Sequence, residues 1–214
     1  MTDEIMAHVL DLDDDPIGCV ATILGVLLFP EVRRPLPIME QQEIYAYVTR
    51  LKTQNDPEWA GEVQRLRPGF AIVPDDRLTY WEAKYHDRLT KALRVGFAAA
   101  EFLDPSTTAP GQAPKTVNEL GEKYAAAFGM TASNFLTRAW RPWAPASAAC
   151  VAYRELHLQL EKAGAPEALP LWLLRDPDNV RAFVELAGRF EPLAIAHPKI
   201  RTSDQNCLRL RIAE

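Results

Sequence analysis

The chain has 214 residues, 48% hydrophobic and 25% charged, with only 10 glycines, a composition that excludes intrinsic disorder; at 24.0 kDa a folded chain buries roughly 70% of its unfolded surface, which removes any need for disulfide or metal staples. The formal charge of −5 is unevenly spread: Met1–Val32 carries seven acids and no Lys or Arg, leaving 24 basic against 22 acidic residues in the remainder. A low overall pI therefore does not exclude an anion-binding face elsewhere on the surface.

Proline punctuates the chain, and four prolines follow an aspartate, at 15–16, 56–57, 104–105 and 176–177. Asp is a favoured helix N-cap and Pro suits the first helical position, so three of these pairs should open helices and Asp104-Pro105 should close one. The first helix is expected from Pro16 to about Phe29. Its apolar run, Ile17–Phe29, is too short for the roughly 20 residues of a membrane span, and it is apolar nearly all round, which predicts a central core helix. A second helix is expected over about Met39–Gln54, with Ile44, Tyr47, Val48 and Leu51 on its buried face. A short third follows Asp56 to Arg67, and Phe70–Val73 forms a small apolar plug or strand.

The longest element is expected over Arg77–Leu103. Leu78, Trp81, Tyr85, Leu89, Ala92, Gly96, Ala99 and Leu103 recur every three or four residues. Its small residues around Gly96 invite close packing by another helix. Asp104–Lys115 reads as a Pro-rich linker. The expectation is a single helical domain over 1–214, with a sub-division into 1–103 and 116–214 kept open. Thr116 to Glu119 forms a capping-box pattern that opens a helix ending at Phe128-Gly129. A short helix follows over Thr131–Trp140. Pro145 opens another that ends at Gly164 and carries Ala146, Cys150, Tyr153, His157 and Leu160 on its buried side. The last helix runs Pro177–Phe190, with Val180, Phe183, Val184 and Ala187 inward. The tail Cys207–Ile212 alternates apolar and basic residues, as a short strand would.

Three cysteines far apart, Cys19, Cys150 and Cys207, fit neither a disulfide framework nor zinc-ligand spacing. No basic leader region precedes the first apolar run. The expectation is a cytoplasmic protein without membrane segment, metal or cofactor. Asp11, Asp13, Asp14 and Asp15 offer oxygen ligands, but the Gly and Glu offsets of a calcium loop are missing. Asp15 is read as the helix cap, and Asp13 and Asp14 as an acidic contact for a basic partner.

Residues 121–140 carry a small residue, Ala125, a turn glycine, Gly129, and a buried-type Phe135, supported by Tyr124, Phe128 and Met130. This pattern resembles the helix-turn-helix motif of bacterial DNA-binding proteins and covers a tenth of the chain. Arg138 stands where that family buries an apolar residue, and Leu136 where it exposes one. The resemblance implies that Thr131, Ser133, Asn134 and Thr137 face a major groove while Arg138 and Arg141 reach phosphates or guanine edges. Trp140-Arg141-Pro142-Trp143 looks like the co-repressor-binding tetrapeptide of Hairy-type repressors, where it is a free chain end; here 71 residues follow. Physically, two indoles around a proline provide an aromatic patch for a protein partner, and Arg141 could stack on one of them.

His157 is read as a core histidine. Cys150 lies about 10 Å from it along one helix, too far for a thiolate–imidazole pair. Tyr80, Tyr85, His86, Asp87 and Arg88 read as a solvated face. No P-loop, dinucleotide, nucleophile-elbow, zinc-protease or kinase pattern occurs. The sequence therefore points to an all-α bundle of about eight helices, with one short strand-like element near the C-terminus. Its expected role is a non-enzymatic adaptor or assembly subunit acting through protein contacts at Asp13, Asp14, Trp140, Arg141 and Trp143. The alternative is a DNA-binding regulator using 121–140.

Overall fold

A computed structural model describes residues 9–10, 15–30, 36, 38–59, 61, 75–104, 106, 109–165, 167–197 and 211–212. The fold is all-α. Helices α1 (Pro16–Leu28), α2 (Ile38–Asn55), α3 (Asp75–Leu103), α4 (Val117–Ala127), α5 (Ala132–Phe135), α6 (Arg141–Trp143), α7 (Ser147–Lys162), α8 (Leu169–Arg175) and α9 (Pro177–Ala196) follow in order. Val9–Leu10 (β1) pairs in parallel with Arg211–Ile212 (β2), so the strand-like tail is realised over its last two residues. The expected helix up to Arg67, the Phe70–Val73 segment, Asp13, Asp14 and Cys207 lie outside the described residues or largely so. Among the described residues no helix is long and apolar enough to cross a membrane.

Helix α1 is the hub. It touches α2, α3, α7, α8 and α9, as its all-round apolar surface dictates. Its N-terminus is capped as the sequence indicates: the Asp15 carboxylate accepts from Gly18 N–H at 2.9 Å and from the Tyr45 hydroxyl at 3.3 Å. Its C-terminus has no basic residue of its own. Two distant donors supply what the last carbonyls lack. The Trp143 indole N–H donates to Leu27 O at 2.7 Å, and Arg88 donates to Leu28 O at 2.6 Å with its guanidinium over the Phe29 ring. Orphan carbonyls at a buried helix end need such partners.

α3 runs two residues earlier than the spacing suggests, from Asp75, and packs along α7. The close approach sits at Gly96, where a Cβ would stand 2.2 Å from the Cys150 carbonyl oxygen. Side chains from both halves of the chain share one core, with Tyr85, Ile23, Leu27, Phe135 and Phe183 wholly buried. The Pro-rich segment is tied down by Lys123, which pairs with Glu101 and donates to Gln112 O. α8 was not evident from periodicity, because seven residues span barely two turns. α9 continues past the expected Phe190, through Pro192, to Ala196.

Two outcomes follow. Gly96→Ala should destabilise the fold by about 1–3 kcal/mol, because overpacking outweighs the roughly 1 kcal/mol gained in helix propensity; urea unfolding checks it, and a neutral or stabilising result contradicts the packing. The second concerns alkaline pH. Burial, aided by Glu82, pushes the Tyr47 hydroxyl up to about 12, and burial, aided by Cys150, does the same for Tyr153. Burial raises Tyr85 and Tyr124 further. The unfolded chain then loses these protons first, near pH 10, so stability should hold below that and fall as pH rises towards 12. Urea midpoints across pH 8–12 should show this decline, less steeply in Tyr153→Phe.

Candidate functional site

The stretch from Thr116 to Trp143 forms two helical segments joined by a tight turn. Thr116 accepts from Glu119 N–H at 3.1 Å, and the Glu119 carboxylate reaches back to Lys115 N–H at 2.6 Å. The capping box is thus present, with its return bond one residue earlier than usual. α4 ends in a Schellman turn: Met130 N–H bonds Ala125 O and Gly129 N–H bonds Ala126 O, at 2.9 and 3.3 Å. Gly129 has φ +61°, a conformation costing other residues roughly 1–2 kcal/mol. The second segment starts at the Thr131 cap, whose hydroxyl accepts from Asn134 N–H at 3.2 Å.

That segment does not remain a regular α-helix. Leu136–Trp140 is a π-turn, with Arg141 N–H bonded to Leu136 O, and the helical path continues into α6. Pro142 supplies the physical reason. It has no N–H for the carbonyl four residues back, and its ring would clash there, so the ladder opens just ahead of it. The resemblance-derived core positions are filled as expected: Ala125 and Phe135 are buried, and the Tyr124 and Phe135 rings stack at 6.2 Å. Leu136 is half-buried and lies against Gly121. Arg138 is exposed. The two departures from the motif are thus accommodated without burying a charge.

Thr131, Ser133, Asn134, Thr137, Arg138 and Arg141 are all exposed. Two have local duties: Thr131 caps, and Thr137 donates its hydroxyl to Ser133 O at 2.7 Å. Arg138 and Arg141 form no ion pair among the described residues. A sequence signal also marks this face. Residues 123–154 contain four basic residues and no Asp or Glu.

The aromatic patch is a correction. Trp140 and Trp143 are only 5% and 4% exposed, so they present no docking surface in this fold. Trp143 is held inward by its bond to Leu27 O, and Trp140 meets the Phe102 ring edge-on at 5.8 Å. Only Arg141 of that tetrapeptide faces outward, and it stacks on neither indole. The solvated face of α3 needs a similar correction. Tyr85 is buried, its ring 5.1 Å from Tyr47, and Arg88 caps α1; Tyr80 and His86 are exposed as expected.

Cys150 is fully buried and burial pushes its thiol far up; Cys19 is buried as well. Such thiols are poor nucleophiles. His157 is not a core residue: it is half-exposed, with Nε2 3.1 Å from Glu161. His197, without a visible partner in sequence, lies 5.5 Å from the Phe102 ring. Among the described residues, no three His, Cys, Asp or Glu side chains gather as metal ligands would. Comparison with protein-family models, with curated proteins and with solved structures finds no match to this chain.

Proposed function

We propose that this protein is a non-enzymatic, cytoplasmic contact module, and that its working surface is the exposed side of residues 131–141. The observation that carries this reading is the joint exposure of Ser133, Asn134, Arg138 and Arg141 on a segment whose inner side is locked into the core by Phe135, Trp140 and Trp143. A surface fixed by packing from behind loses little conformational freedom when a partner arrives. The π-turn adds support, since such insertions frequently accompany functional sites. A non-catalytic role agrees with the inert Cys150 thiol and with His157 turned towards Glu161 at the rim. Cys19 and Cys150, buried on separate helices, suit a reducing compartment.

A second reading, docking of a protein, draws on a different place. Ile38 and Met39, consecutive in the first turn of α2, are 72% and 73% exposed. Apolar side chains this open are common singly, and two together give a partner a foothold.

Co-purification from cells tests both. The tagged chain should retain a specific macromolecule that Arg138→Ala with Arg141→Ala loses while the circular dichroism spectrum is unchanged. Met39→Glu should leave that retention intact. If the arginine variant retains the same material as the parent, the 131–141 surface is not the working one. Loss in Met39→Glu alone transfers the role to α2.

A further inference from the structure

We infer that the 131–141 surface takes the phosphate backbone of a nucleic-acid duplex, an inference that rests on the contact-module reading above. The surface carries charge that has no counter-charge among the described residues. Arg138 and Arg141 are exposed and form no ion pair with any carboxylate among the described residues. A third guanidinium, that of half-buried Arg94 on α3, lies against the turn that precedes this segment. Arg94 lies over the Phe128 ring at 5.1 Å and donates to Met130 Sδ at 3.3 Å, so it sits against the turn that leads into Thr131. Its Nε is buried without a hydrogen-bond partner. Among the described residues it too has no carboxylate partner, although ion pairs occupy Lys84, Lys91, Lys123, Arg154, Arg175 and Arg181 elsewhere.

A guanidinium left unneutralised beside an acid-free stretch is a site for an anion, since planar N–H forks match phosphate oxygens in geometry as well as charge. The neighbouring side chains fit the same ligand. Ser133 and Asn134 are exposed donors of the kind that contact phosphate and sugar oxygens. The surface contains no exposed aromatic or large aliphatic side chain between 131 and 141, since Phe135, Trp140 and Trp143 are all turned inward and Leu136 is half-buried. An acidic protein partner would be expected to meet aromatic anchors at the centre of its interface. A polar, guanidinium-bearing face without such anchors suits phosphodiester oxygens better. The chain's net negative charge is unevenly spread, and outside Met1–Val32 there are 24 basic against 22 acidic residues.

The test is fluorescence anisotropy with a labelled random-sequence DNA duplex, set beside a labelled polyglutamate peptide. Three arginine–phosphate contacts predict that affinity for the duplex falls about 40-fold between 50 and 200 mM salt, and Arg138→Ala with Arg141→Ala should reduce that fall to about 4-fold. A duplex bound with unchanged salt dependence in the variant overturns the assignment of these arginines. Peptide bound and duplex unbound at low salt overturns the nucleic-acid inference while leaving the contact-module reading in place. Neither probe bound overturns the inference, and the co-purification experiment then decides the reading on its own.

Discussion

The structure depends on burying one helix whose surface is apolar on every side. Sinking α1 among α2, α3, α7, α8 and α9 removes that surface from water, and it takes the helix's polar ends along. A buried carbonyl without a donor costs about 1–3 kcal/mol, so the ends must be satisfied by whatever surrounds them. Asp15, held by Tyr45, serves the N-terminus, while Trp143 and Arg88 serve the C-terminus. Each comes from a different part of the chain. The polar demands of one helix thereby fix how α2, α3 and the 132–143 segment sit around it.

The candidate surface follows from that constraint. Trp143 reaches Leu27 O only if the segment bearing it is pressed against the core, and this turns Phe135 and Trp140 inward on the same side. The opposite side must then be exposed, and it carries Ser133, Asn134, Arg138 and Arg141. Pro142 opens the helical ladder in the middle of this stretch, which is how two inward tryptophans and two outward arginines coexist within a few residues. The aromatic residues that resemble a docking peptide thus act as structural anchors, and the polar residues between them form the surface.

Much of the fold was legible in the sequence because its signals are local. The Asp-Pro caps of α1 and α9, the Thr116 capping box, the Gly129 stop and the stripe Ile44, Tyr47, Val48 and Leu51 each follow from residues a few positions apart. What was hidden is non-local. Arg88 lies among polar neighbours on α3, and nothing nearby in sequence shows that Leu28, sixty positions away, needs its hydrogen bond. The same holds for Trp143 and Leu27. The six residues that the helix-turn-helix resemblance turns towards a groove are all exposed. The tetrapeptide resemblance concerns a free chain end, whereas here the same two tryptophans are buried in the middle of a packed chain.

The buried end of α1 is completed by a side chain from the far half of the molecule. Comparing Trp143→Phe with Trp140→Phe by urea unfolding tests it most directly. Both substitutions remove the same volume from a buried indole, but only the first deprives Leu27 O of its donor. Trp143→Phe should therefore cost about 1–3 kcal/mol more than Trp140→Phe. Equal losses in the two variants would rule out this role for the Trp143 indole.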